Sequence, residues 1–129
     1  MKGDHIRVLR YGIFYHHAID MGNGKVIQYR GELIKGKNPE DSMVGIDSTS
    51  NFLKYAGSNL EVVSYDEEIF TPDEVIRRAK SRLGENKYNI IFNNCEHFCY
   101  WCKTGNAKCK QLTDLITDIK SIFPKNQKK

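Results

Sequence analysis

Apolar and polar positions alternate along the first quarter of the chain, in short runs broken by turn residues. Residues 6 to 9, 13 to 21 and 25 to 29 each read as a strand, and Gly22-Asn23-Gly24 between the last two predicts a β-hairpin. Residues 33 to 50, centred on Lys35-Gly36-Lys37-Asn38-Pro39-Glu40-Asp41-Ser42, lack periodicity and read as a turn-rich excursion, a candidate lid. Residues 60 to 65 form the next predicted strand. Thr71 as N-cap, Pro72 at the first position and Glu74 three residues after the cap then open a helix that runs to about residue 83, with Gly84 as its stop.

A last predicted strand, 88 to 92, delivers the chain into Asn94-Cys95 and a helix ending near Gly105. Cys95, Phe98, Cys99 and Cys102 recur at three- and four-residue spacings and share one helical face. A final helix, 110 to 123, places Leu112, Leu115, Ile116, Ile119, Ile122 and Phe123 in the same manner before Pro124 and a Lys-rich end.

With 129 residues the chain has room for one α+β domain, 1–129, with 108–129 an amphipathic helix and basic tail. No aliphatic or aromatic run exceeds three residues, far short of the roughly 18 that a membrane span needs. The start, Met1-Lys2-Gly3-Asp4-His5, has no apolar stretch of signal-peptide type, so the expected location is cytoplasmic. Cys95, Cys99, Cys102 and Cys109 fall within fifteen residues and are expected as reduced thiols. The formal charge of +4 resides wholly in the tail, where six Lys face two Asp from Lys108 onward. Basic residues confined to a tail without a recognition motif argue against nucleic-acid binding. They suit a solvated helix end or peripheral contact of 108–129 with an anionic membrane.

Cysteine chemistry runs through the thiolate, which a helix N-terminus favours because unpaired N–H groups and the macrodipole stabilise negative charge there. Asn94, or Asn93, can cap the helix, making Cys95 one of its first residues and the candidate nucleophile. Cys99 and Cys102 lie deeper and read as core. A nucleophile needs a base, and His16 and His17 lie on the first hairpin strand, where alternation sends them to opposite faces. A three-residue Gly22-Asn23-Gly24 loop pairs Met21 with Lys25, Ala18 with Gln28 and His16 with Arg30, so that Gln28 neighbours His16 diagonally and can hold its tautomer. A two-residue Asn-Gly turn shifts the pairing by one and sends Gln28 to the other face. His17 is expected as a partly exposed neighbour, His5 as a strand-edge residue, and His97 as a structural hydrogen-bonding group. A zinc site from Cys99, Cys102, Cys109 and His97 would string its ligands along one helix, where structural zinc usually joins separate turns, so no metal is predicted.

The runs Gly3-Asp4-His5-Ile6, Tyr15-His16-His17-Ala18-Ile19-Asp20 with Gly22-Asn23-Gly24-Lys25-Val26-Ile27, and Asn94-Cys95-Glu96-His97-Phe98 together resemble the lecithin retinol acyltransferase-like, or NC-domain, family, which includes the H-Ras-like suppressor phospholipase/acyltransferases. The resemblance implies a circularly permuted papain-like (NlpC-type) fold, with a small antiparallel sheet against helices. It implies Cys95 as nucleophile, His16 as general base and Gln28 as the residue that orients it, where phospholipase members usually carry a histidine. His17 falls where some members have tryptophan. The activity implied is thiol-dependent acyl transfer or phospholipase A action on glycerophospholipid esters through a Cys95 thioester, without a cofactor, with oxyanion stabilisation from backbone N–H groups around Asn94 and Cys95. Two alternatives are a cysteine amidase or peptidase on the same scaffold and a catalytically idle binding domain.

Overall fold

The alternating N-terminal runs become an antiparallel meander of β1 (His5–Arg10), β2 (Phe14–Gly22), β3 (Lys25–Tyr29) and β4 (Val44–Ser48), and β5 (Glu61–Val62) pairs with the outer side of β1. The strand order is β4-β3-β2-β1-β5. The structure is a computed structural model that describes residues 1–12, 14–30, 42–54, 56, 59–87 and 94–106. Its helices are the single turn α1 (Thr49–Phe52), α2 (Pro72–Ser81) and α3 (Cys95–Thr104), which makes the class α+β. The predicted strand at 88–92 and the helix at 110–123 lie outside the described residues.

The hairpin resolves the choice between two registers by using parts of both. Asn23 and Gly24 have φ of 56° and 74°, as a two-residue type I′ turn requires, and Gly22 pairs with Lys25. Beyond the tip, Met21 is an extra residue in a bulge, so Asp20 meets Val26 and Ile19 meets Ile27. The body of the hairpin therefore keeps the three-residue register. The Asp20 side chain braces the bulge by accepting from the Gly22 N–H at 2.8 Å.

Both faces of the central strands are covered, which is why β2 and β3 are buried almost without alternation. On one face Ile19, Ile27 and Tyr29 pack against Val75 and Ala79 of α2 and Phe98, Cys99 and Cys102 of α3. On the other, Ile6, Val8, Ala18 and Val26 pack with Phe52 of α1. Phe98 sits edge-on to Tyr29 at 6.0 Å between centroids, and losing such a buried ring costs about 3–5 kcal/mol. The C-terminal end of α3 is tied down by Lys103, whose Nζ donates to the Gly3 carbonyl at 3.0 Å and whose own carbonyl accepts from Phe70 N–H at 2.9 Å.

Three expectations change. The turn-rich excursion at 33–50 closes in β4 and the start of α1, while 31–41 lies outside the described residues. The strand at 60–65 is regular only at Glu61–Val62. The helix opened by Thr71 ends at Ser81, two residues early, before a turn that leads to Gly84 at φ 87°.

Candidate active site

Asn94 caps α3, its side-chain oxygen accepting from the N–H groups of Glu96 at 2.9 Å and His97 at 3.0 Å. His97 returns the contact, its Nδ1 accepting from the Asn94 N–H at 3.2 Å, and so completes a capping box. Cys95 is the first helical residue and only 7% exposed. The reciprocal cap makes His97 the structural group expected of it. Burial drives the other helix thiols up, Cys99 far above its ordinary pKa and Cys102 to about 12, which disfavours the thiolate at both. Among the described residues Cys95, Cys99 and Cys102 form no disulfide. Cys109 lies outside them.

His16 and Gln28 come together as the three-residue register requires: His16 Nε2 and Gln28 Oε1 are hydrogen-bonded, both side chains buried. Sequence reasoning missed the next two members. Gln28 Nε2 donates to Asp47 Oδ2 at 2.6 Å, and Arg30 grips the same carboxylate with Nε to Oδ2 and Nη2 to Oδ1, each 3.0 Å. Burial, reinforced by the Arg10 charge, pushes His16 down to about 4 against the opposing pull of Gln28 and Asp47, so the imidazole is neutral near pH 7. Partial burial raises Asp47, but the hydrogen bonds from Arg30 and Gln28 outweigh it and hold the carboxyl below its ordinary value.

The opposite face of β2 carries a second polar cluster. His17 Nδ1 lies 2.7 Å from His5 Nε2, and His5 Nδ1 lies 2.6 Å from the Tyr65 hydroxyl. His17 Nε2 is buried without a hydrogen-bond partner among the described residues, and Glu96 Oε1 on the first turn of α3 is 4.0 Å away. The expected partial exposure of His17 is overturned, since it is 1% exposed; His5 stands at the first position of β1 and is 2% exposed, because α3 and the Tyr65 segment cover this face. Burial is the main force holding both rings neutral, with pKa values pushed to about 3. No sequence pattern foretold the cluster, since its closing member, Tyr65, is 60 positions from His5.

The two faces thus divide the candidate residues. His16 lies on the Phe52 face, its ring 5.5 Å from that of Phe52, with Gln28 and Asp47 beside it. Cys95 belongs to the core shared by α3, Ile19 and Ile27, the face that His17 shares. Among the described residues no group of three His, Cys, Asp or Glu side chains is arranged to hold a metal ion.

A family model described as lecithin retinol acyltransferase matches residues 1–108, more than four-fifths of the sequence. The chain belongs to the lecithin retinol acyltransferase family. Human lecithin retinol acyltransferase is 30% identical across 81% of this chain and 46% of its own length. Human phospholipase A and acyltransferase 4 is 31% identical across 91% of this chain and 77% of its own length, and human phospholipase A and acyltransferase 1 is 26% identical across 98% and 88%. The chain spans about half the length of the lecithin retinol acyltransferases it matches. No helix among the described residues is long and apolar enough to cross a membrane.

Proposed function

We propose that the chain is a thiol-dependent acyltransferase or phospholipase A acting on glycerophospholipid esters, with Cys95 as nucleophile, His16 as general base and Gln28 as the residue that orients it. The observation that carries the reading is the position of Cys95 as first residue of a capped α3 in a chain of this family. Under this proposal His16, which lies on the other face of β2 from the core that holds Cys95, must reach the thiol to take its proton, and the thiolate then attacks the ester carbonyl. The tetrahedral intermediate collapses to a thioester, and the departing alcohol takes the proton from His16. Water, or an acceptor hydroxyl or amine, then gives a proton to His16, attacks the thioester and releases the thiol. The Cys95 N–H, at the first position of α3, is the proposed helix-end donor to the oxyanion.

The histidine strand preceding the cysteine helix supports a circularly permuted papain-like (NlpC-type) fold. Peripheral docking on anionic membrane through 108–129 belongs to the same proposal. Parallel assays on phospholipid vesicles and on small peptide amides test the substrate class: ester hydrolysis or transfer lost in Cys95→Ala supports the reading, whereas turnover of amides alone makes the chain a thiol amidase.

A second reading rests on one observation. His17, not His16, shares the α3 face, with its Nε2 directed toward Glu96 beside Cys95. If His17 is the base, His17→Ala abolishes thiolate activation while His16→Ala leaves it.

A further inference from the structure

The His16 proton is placed by contacts that begin on another strand. The register sets Val26 opposite Asp47 and Gln28 opposite Gly45, so Asp47 is a diagonal neighbour of Gln28 on the face that carries His16. Gly45 leaves room between them that the Arg30 guanidinium fills; a Cβ there would lie 2.5 Å from it. Held by that two-point grip, the Asp47 carboxylate can only accept hydrogen bonds. The amide group of Gln28 nearest to it must therefore be the NH2, and its carbonyl oxygen must face His16 Nε2. That oxygen is also an acceptor only. A neutral His16 meeting it carries its proton on Nε2, and Nδ1 is left as the bare lone pair.

A glutamine alone does not impose this order, since its amide can turn end for end and present a donor to the ring. We propose that Asp47 is a positioning residue that fixes the tautomer of His16 through Gln28, making Nδ1 the proton-accepting atom. Its value to catalysis rests on His16 being the base; its control of the tautomer does not.

The test is a long-range 1H–15N correlation spectrum of the full chain labelled with 15N-histidine, at neutral pH, in wild type, Asp47→Asn and Asp47→Ser. Wild type should show His16 protonated at Nε2 and bare at Nδ1. Asp47→Asn and Asp47→Ser each put a group that both donates and accepts in place of the carboxylate, so a substantial Nδ1-protonated population should appear. In a Gln28→Leu background Asp47→Asn should change nothing further. On a soluble nitrophenyl ester, Asp47→Asn should lower kcat about tenfold or more with KM little changed.

An Nδ1-protonated His16 in wild type overturns the proposal, as does an unchanged tautomer in a folded Asp47→Asn or Asp47→Ser chain. Because wild type is itself a test, misfolding of both variants does not shelter it. A tautomer that follows Asp47 while His16→Ala leaves ester turnover intact upholds the control by Asp47 and removes His16 from the chemistry. The reverse pattern removes Asp47 alone.

Discussion

Acidification should unfold this protein through its three buried, neutral imidazoles. His5, His16 and His17 have folded pKa values pushed to about 3, 4 and 3 from an ordinary value of 6.5, chiefly by burial. The charged groups facing them are Lys103 and Arg7 at His5, Arg10 and Asp47 at His16, and Glu96 and Arg7 at His17; the two carboxylates oppose the shift without reversing it. Because each folded pKa is depressed, the unfolded chain takes up the proton first. The stabilisation is complete above pH 6.5 and is lost as pH falls toward the folded values. Each neutral imidazole gives a slope of about 1.4 kcal/mol per pH unit, so lowering the pH from about 8 to about 5 costs roughly 2 kcal/mol per ring and roughly 6 kcal/mol for three. A domain typically has about 5–15 kcal/mol in all, so the loss is comparable with the whole stability.

Urea unfolding followed by circular dichroism at several pH values measures the loss directly. His16→Gln should flatten the dependence by one proton's worth, about 2 kcal/mol over that interval, whatever it does to stability at pH 8. A midpoint that does not move between pH 8 and pH 5 would refute the assignment of these rings as neutral and buried. So would a His16→Gln variant with the full wild-type pH dependence.

Three further outcomes follow from particular contacts. Asn94→Ala removes the acceptor for two N–H groups at the start of α3 and should cost about 1 kcal/mol, with slower alkylation of Cys95 in the folded state. Tyr65→Phe leaves a buried His5 nitrogen without its partner and should destabilise the fold by about 1–3 kcal/mol in thermal or urea unfolding, with Cys95 reactivity unchanged. Gly45→Ala should drive the Arg30 guanidinium from Asp47, leaving the fold intact by circular dichroism but lowering ester turnover, since Asp47 loses its grip.

What could be read in the sequence is what local chemistry decides. Thr71 with Pro72, and Asn94 followed by the Cys95 stripe, mark helix starts through side chains that satisfy nearby N–H groups, and both starts are found where the spacing puts them. The pairing of His16 with Gln28 was also within reach, because a hairpin turn sets register, although the turn chemistry alone left two registers open until the Met21 bulge reconciled them. β4 escaped because Val44-Gly45-Ile46 has a glycine inside it, a residue disfavoured in strands, and there that glycine serves the close approach of Arg30. Asp47 was lost with the strand that carries it. The His5–His17–Tyr65 cluster depends on which helix covers which face, a tertiary fact that strand alternation cannot supply: alternation says that His16 and His17 part company and says nothing of both sides being buried.

Trapping the acyl-enzyme tests the central claim most directly. The full chain is mixed with an activated acyl ester, quenched in acid and weighed intact, in wild type, Cys95→Ala, His16→Ala and His17→Ala. One acyl group added to wild type, none to Cys95→Ala, and a rate that collapses in His16→Ala but survives in His17→Ala is the predicted result. An adduct that persists in Cys95→Ala, or forms at the wild-type rate in His16→Ala, contradicts it.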